Sequence, residues 1–145
     1  MRLSPIIAAA ALAALPAQAA LSPCAYDAAV TAARDVIQVR VQGVETGPVP
    51  VEAQPADHVY CSVRGEVVGV FRGGLETGLT VSITRIPCIH SGVPGPVLAT
   101  SPEALRAAPV IEFHLDGRGE VAGHGAGIVL LQEATPKMAW KPDCG

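Results

Sequence analysis

The sequence predicts a mainly β fold: a small five-stranded barrel with a short N-terminal helix, stabilised by disulfides. Three observations predict it. Residues 36–44 alternate Val and Ile with polar residues, which is the period of a half-buried strand. The stretch from His58 to Cys88 reads as a long hairpin with a cysteine near each end, its second arm alternating Leu79, Val81 and Ile83 with Thr80, Ser82 and Thr84. Four cysteines, Cys24, Cys61, Cys88 and Cys144, stand in a chain of 145 residues, which has room for one domain.

The chain opens on an export signal. Residues 1–19 carry one positive charge at Arg2, an apolar run from Ile6 to Leu15, Pro16, and the small-x-small site Ala17-Gln18-Ala19. Cleavage is expected between Ala19 and Ala20, leaving residues 20–145 as the domain. The apolar run is shorter than the ~20 residues of a spanning helix. Pro23 before Cys24 does not suit lipidation of that cysteine. Losing Arg2 leaves nine of the ten basic residues against thirteen acidic ones. A weakly acidic chain without a basic run argues against nucleic acid, whose binding rests on clustered Lys and Arg. No later segment is apolar enough to span a membrane. Eight arginines against two lysines, with abundant Ala, Val, Gly and Pro, suggest a GC-rich bacterial genome and the periplasm.

In order along the mature chain, Ser22 and Pro23 supply an N-cap and a first helical residue for a short peripheral helix to Arg34, packed through Tyr26, Val30 and Ala33. The strand at 36–44 follows, with Ile37, Val39 and Val41 on one face. Residues 45–57 contain Gly47, Pro48, Pro50 and Pro55 and form a connection, with room for an edge strand through Val49 and Val51. In the hairpin's first arm the apolar phase shifts from Val63 and Val67 to Val68 and Val70 beside Gly65 and Gly69, the mark of a β-bulge. Residues 73–78 hold the glycines of the reversal. Residues 89–108 are again rich in Pro and Gly, with Ser101 capping a helical turn that starts at Pro102. Val110–Leu115 is the next strand, with Ile111, Phe113 and Leu115 on one face, and Asp116-Gly117-Arg118-Gly119 is its turn. Ile128–Leu131 is a short apolar final strand. The tail beyond Glu133 is irregular, with Trp140 expected to cover one end of the core.

This order of cysteine, strand 34–44, a strand ending Val70-Phe71-Arg72-Gly73, a third strand and Cys88 resembles that of netrin-like domains. These are OB-fold barrels found in tissue inhibitors of metalloproteinases and in small secreted bacterial proteins. The region 111–131 is similar to the closing part of that barrel. In the inhibitors an N-terminal cysteine grips the protease's zinc. Here the expected first residue is Ala20, so the resemblance implies the fold without protease inhibition.

The four cysteines, in an exported chain, read as two disulfides. Cys61 and Cys88 lie nearly equidistant from the hairpin turn, so a Cys61–Cys88 bridge with Cys24–Cys144 is one geometry. The resemblance favours Cys24–Cys88, leaving Cys61–Cys144. No Cys-x-x-Cys supports redox chemistry, and the wide spacing disfavours a four-cysteine zinc site. His58, His90, His114 and His124 read as surface groups beside turns. The one metal alternative is His114, Asp116 and His124, if the hairpin folds back. No serine sits in a Gly-x-Ser-x-Gly context, and no glycine run precedes a helix as a phosphate loop does. The expectation is an exported, non-catalytic binding module without a cofactor. Its partner would be a protein or small ligand of the cell envelope, engaged through the loops 45–57 and 89–108. The rival is a metal-binding protein using His114, Asp116 and His124.

Overall fold

The computed structural model describes residues 23–48, 58–90, 99–142 and 144. The expected export signal, the expected Ser22 cap and the expected edge strand through Val49 and Val51 lie outside the described residues, as does much of both proline-rich connections. The elements are α1 (Pro23–Thr31), β1 (Asp35–Pro48), β2 (His58–Arg72), β3 (Thr80–Ile89), α2 (Pro102–Ala107), β4 (Val110–Leu115) and β5 (Ile128–Leu131). They form one five-stranded sheet in the order β3-β2-β1-β4-β5, with every neighbouring pair antiparallel. The architecture is mainly β, as the alternation of the sequence predicts.

β1 and β2 are long, and bulges let them bend. Between β1 and β2 the register slips at Phe71, at Val68 and at Gln42, each an extra residue on one strand. The bulge at Val68 is the physical form of the phase shift in the sequence. It turns the apolar side of β2 from Val63 and Val67, both fully buried, to Val70, which packs at the core's edge. Opposite the Gln42 bulge, β2 approaches β1 so closely that a Cβ on Gly65 would overlap the Arg40 carbonyl oxygen and the Val39 side chain. The core occupies one face of this bent sheet: Ile37 and Val39, Val63 and Val67, Ile83 and Ile86, Ile111 and Phe113. Leu105 of α2 seals it. α2 begins as expected, with the Ser101 Oγ accepting from the Ala104 amide at 3.0 Å and Pro102 in the first turn.

The barrel is not closed. β3 and β5 are the sheet's two edges, and β5 spans only Val110 to Phe113 on its neighbour. The chain ahead of β5 meets the end of β4 at the Leu115–Val121 bridge. It leaves the strand line for 123–126 and rejoins it where the Gly127 amide bonds the Ala122 carbonyl at 3.0 Å. That detour stands where a closing strand would pair with β3.

The disulfides are Cys61–Cys88 and Cys24–Cys144, with Cα separations of 6.0 and 5.4 Å. The pairing implied by the netrin-like resemblance does not form. The reason is register: Cys61 faces Ile86 and Cys88 faces Val59, so the two cysteines are diagonal neighbours on adjacent strands. Both point into the core, at 0% and 1% exposure. Cys24 and Cys144 are left to join α1 to the C-terminal segment.

Gly65→Ala is expected to cost about 2 kcal/mol through overpacking against β1. Gly74→Ala, whose Cβ would meet nothing within 4 Å, is expected to stay within about 0.5 kcal/mol of the parent. Urea unfolding midpoints of the two variants measure the contrast.

Candidate functional site

Period two puts Glu112 and His114 of β4, and Gln38 of β1, on the face away from the core. On a sheet with one covered face these would meet water. Instead all six residues of β4 are buried, and Gln38, Glu112 and His114 are 0%, 0% and 1% exposed. Residues 135–140 of the C-terminal segment cover them. The Glu112 carboxylate organises the contact. Its Oε1 accepts from His114 Nε2 at 2.8 Å and the Trp140 amide at 2.9 Å. Its Oε2 accepts from Gln38 Nε2 at 2.9 Å and the Ala139 amide at 2.7 Å. Gln38 also accepts from the Thr135 amide at 2.8 Å and donates to Thr135 Oγ1 at 2.7 Å. The Trp140 ring leans on the His114 ring, with centroids 5.3 Å apart. Trp140 thus roofs the polar face, not the end of the apolar core as expected.

Burial pushes the Glu112 carboxyl up, but the hydrogen bonds from His114, the Ala139 amide, Gln38 and the Trp140 amide outweigh it and bring it down from an ordinary 4.5 to about 2. A carboxyl lowered in the folded state contributes stability above its unfolded pKa and loses it as pH falls through the folded value. The shift corresponds to about 3 kcal/mol. Unfolding free energy is therefore expected to fall from pH 4.5 to pH 2. In Glu112→Gln one tail amide faces an NH2 group, which removes about 3 kcal/mol at neutral pH and flattens the acid slope. Chemical denaturation across that pH range measures both effects.

A carboxylate bonded to an imidazole can orient a general base. Here Nε2 points at Glu112, Nδ1 is buried without a partner, and the ring is sealed from solvent. The arrangement locks the tail to the sheet. His114 is accordingly not the surface group expected from its place beside a turn.

The other two members of the alternative metal trio lie elsewhere. Asp116 Oδ1 accepts from the Arg118 and Glu120 amides at 2.8 and 3.1 Å and shapes the turn after β4. His124 is exposed on the 123–126 detour, edge-on to Tyr26 with centroids 6.1 Å apart. Among the described residues no three or more His, Cys, Asp or Glu are grouped to hold a metal ion. Of the loops expected to carry recognition, 49–57 and 91–98 lie outside the described residues.

A second feature lies at the open seam of the sheet. A cleft of about 350 Å³ runs between the outer side of β3 and residues 116–125, lined by Tyr60, Arg85, Pro87, Arg118, Glu120 and His124. Its two sides touch where the detour packs on β3: a Cβ on Gly125 would sit 3.4 Å from Pro87. Arg85 and Glu120 face each other across the seam at 3.9 Å, and Arg118 lies 4.0 Å from Asp116. Arg85 occupies a bulge of β3, where Thr84 and Arg85 together face Ser62, and has φ 57°. His124 has φ 54° and Gly125 φ 94°, and the Ala126 amide bonds the Gly123 carbonyl at 3.1 Å. Those are the features of a type I′ turn with His124 at its first central position.

The sequence carried one signal for the buried cluster: an acid and a histidine inside an otherwise apolar strand, Val110-Ile111-Glu112-Phe113-His114-Leu115. The cleft had none, because its walls are remote in sequence. No family model, curated protein or solved structure matches the chain. The likeness to netrin-like domains rests on the pattern of strands and cysteines alone.

Proposed function

We propose that residues 20–145 form a non-catalytic binding domain, exported after removal of the signal at 1–19 and acting in the periplasm or secreted from a bacterial cell, on a scaffold of netrin-like type. The observation that carries this reading is how the polar groups are used. The buried carboxylate–imidazole pair is spent on holding the C-terminal segment, while the side chains suited to recognition stand in an open cleft. Two disulfides fit an oxidising compartment, and no helix of the described residues is long and apolar enough to cross a membrane.

The test is capture by the mature, oxidised domain from a cell-envelope fraction, with N-terminal sequencing of the exported chain. The expected outcome is an N-terminus at Ala20 and a bound molecule that survives washing. An empty capture would overturn the reading, and stoichiometric zinc or copper in the purified domain that disappears in His124→Ala would replace it with that of a metal protein.

A further inference from the structure

We infer that the cleft at the open seam binds a small zwitterion, a ligand of amino-acid or dipeptide size with a free carboxylate and an ammonium group. The inference rests on the reading of the domain as a binding module and supplies the chemistry of its ligand.

Backbone strain points to this place first. Among the described residues, Arg85 and His124 are the two non-glycine residues with positive φ, and both line the same cleft. The left-handed region costs an ordinary residue about 1 kcal/mol, which Gly or Asn largely avoids. Asn-Gly is the favoured pair for a type I′ turn, yet the chain has His124-Gly125. It likewise has Arg at the β3 bulge. Arg85 is held in a conformation its side chain disfavours, His124 stands where Asn is the commoner choice, and both line one cavity, a pattern of strain held for recognition.

Charge sets the ligand class. The Arg85 and Arg118 side chains are 72% and 81% exposed. Their acidic neighbours lie 3.9 and 4.0 Å away, too far for hydrogen bonds, so both guanidinium forks have donors to spare. Such a fork matches a carboxylate bidentately. The same acids, Glu120 and Asp116, disfavour a dianion such as phosphate beside the arginines and suit a ligand ammonium. Tyr60 and Pro87, paired across β2 and β3, give the cleft an apolar wall. Its volume of about 350 Å³ is at the small end of ligand sites, which limits the ligand to about two residues.

The test is titration of the ¹⁵N-labelled, oxidised mature domain, followed by NMR, with alanine, Ala-Ala, N-acetyl-Ala-Ala, Ala-Ala amide and inorganic phosphate. The expected result is saturable shifts around Arg85, Arg118 and His124 with alanine or Ala-Ala, and binding roughly tenfold weaker when either end of the dipeptide is blocked. The stronger binder of the two shows whether a free amino acid or a peptide is preferred. Arg85→Asn and His124→Asn are expected to weaken binding roughly tenfold while leaving thermal stability equal or raised, since Asn tolerates positive φ. A purely structural role for these side chains gives the opposite pair of results. No saturable binding of either zwitterion, phosphate binding as well as Ala-Ala, or unchanged binding in both Asn variants would overturn the inference. If the zwitterions fail while envelope capture succeeds, the site is wrong and the binding-module reading stands.

Discussion

Glu112 holds three separate parts of the chain at one carboxylate. Gln38 reaches it from β1, His114 from its own strand, and the Ala139 and Trp140 amides from the C-terminal segment. Because Glu112 lies fully buried beneath that segment, each donor compensates part of the desolvation that the others impose. The Gln38–Thr135 bonds, the Trp140 ring on His114 and the Cys24–Cys144 bridge hold the same segment beside it. With these ties Glu112 converts an irregular tail into a second layer, and the sheet becomes buried on both faces at its centre.

The two disulfides serve different layers. Cys61–Cys88 fastens β3, an edge strand, to β2 inside the apolar core. Cys24–Cys144 fastens the far end of the tail to α1, beside the bond from the Cys144 amide to Asp27 at 2.7 Å. Between them the apolar face and the polar face each carry one covalent tie. The seam between β3 and the 116–125 region carries none, and there the two sides meet through Pro87, Gly125 and a loose ion pair.

Much of this fold was legible from local pattern. The bounds of β4 and β5, the Ser101 cap of α2 and the bulge near Gly65–Gly69 follow from side-chain period and turn chemistry, which act over a few residues. Three things were not. The burial of Gln38 and Glu112 depends on backbone amides of residues 139 and 140, and an amide leaves no mark in the sequence. The disulfide pairing depends on the β2–β3 register, which places Cys88 diagonal to Cys61; the resemblance to netrin-like domains pointed the other way. The open edge depends on how far β5 extends, four residues in place of a full strand. Arg85 and His124 line one cleft only because those long-range features are settled first.

The Cys24–Cys144 bond also makes the described fold a covalent ring, joining residues 120 positions apart whose Cα atoms are 5.4 Å from each other. A pull applied outside that pair, through the leading and trailing ends of the chain, passes along the sulfur bridge and never loads the strands. While the bond is oxidised, the sheet and the cleft on its seam are insulated from mechanical tension at the chain's ends.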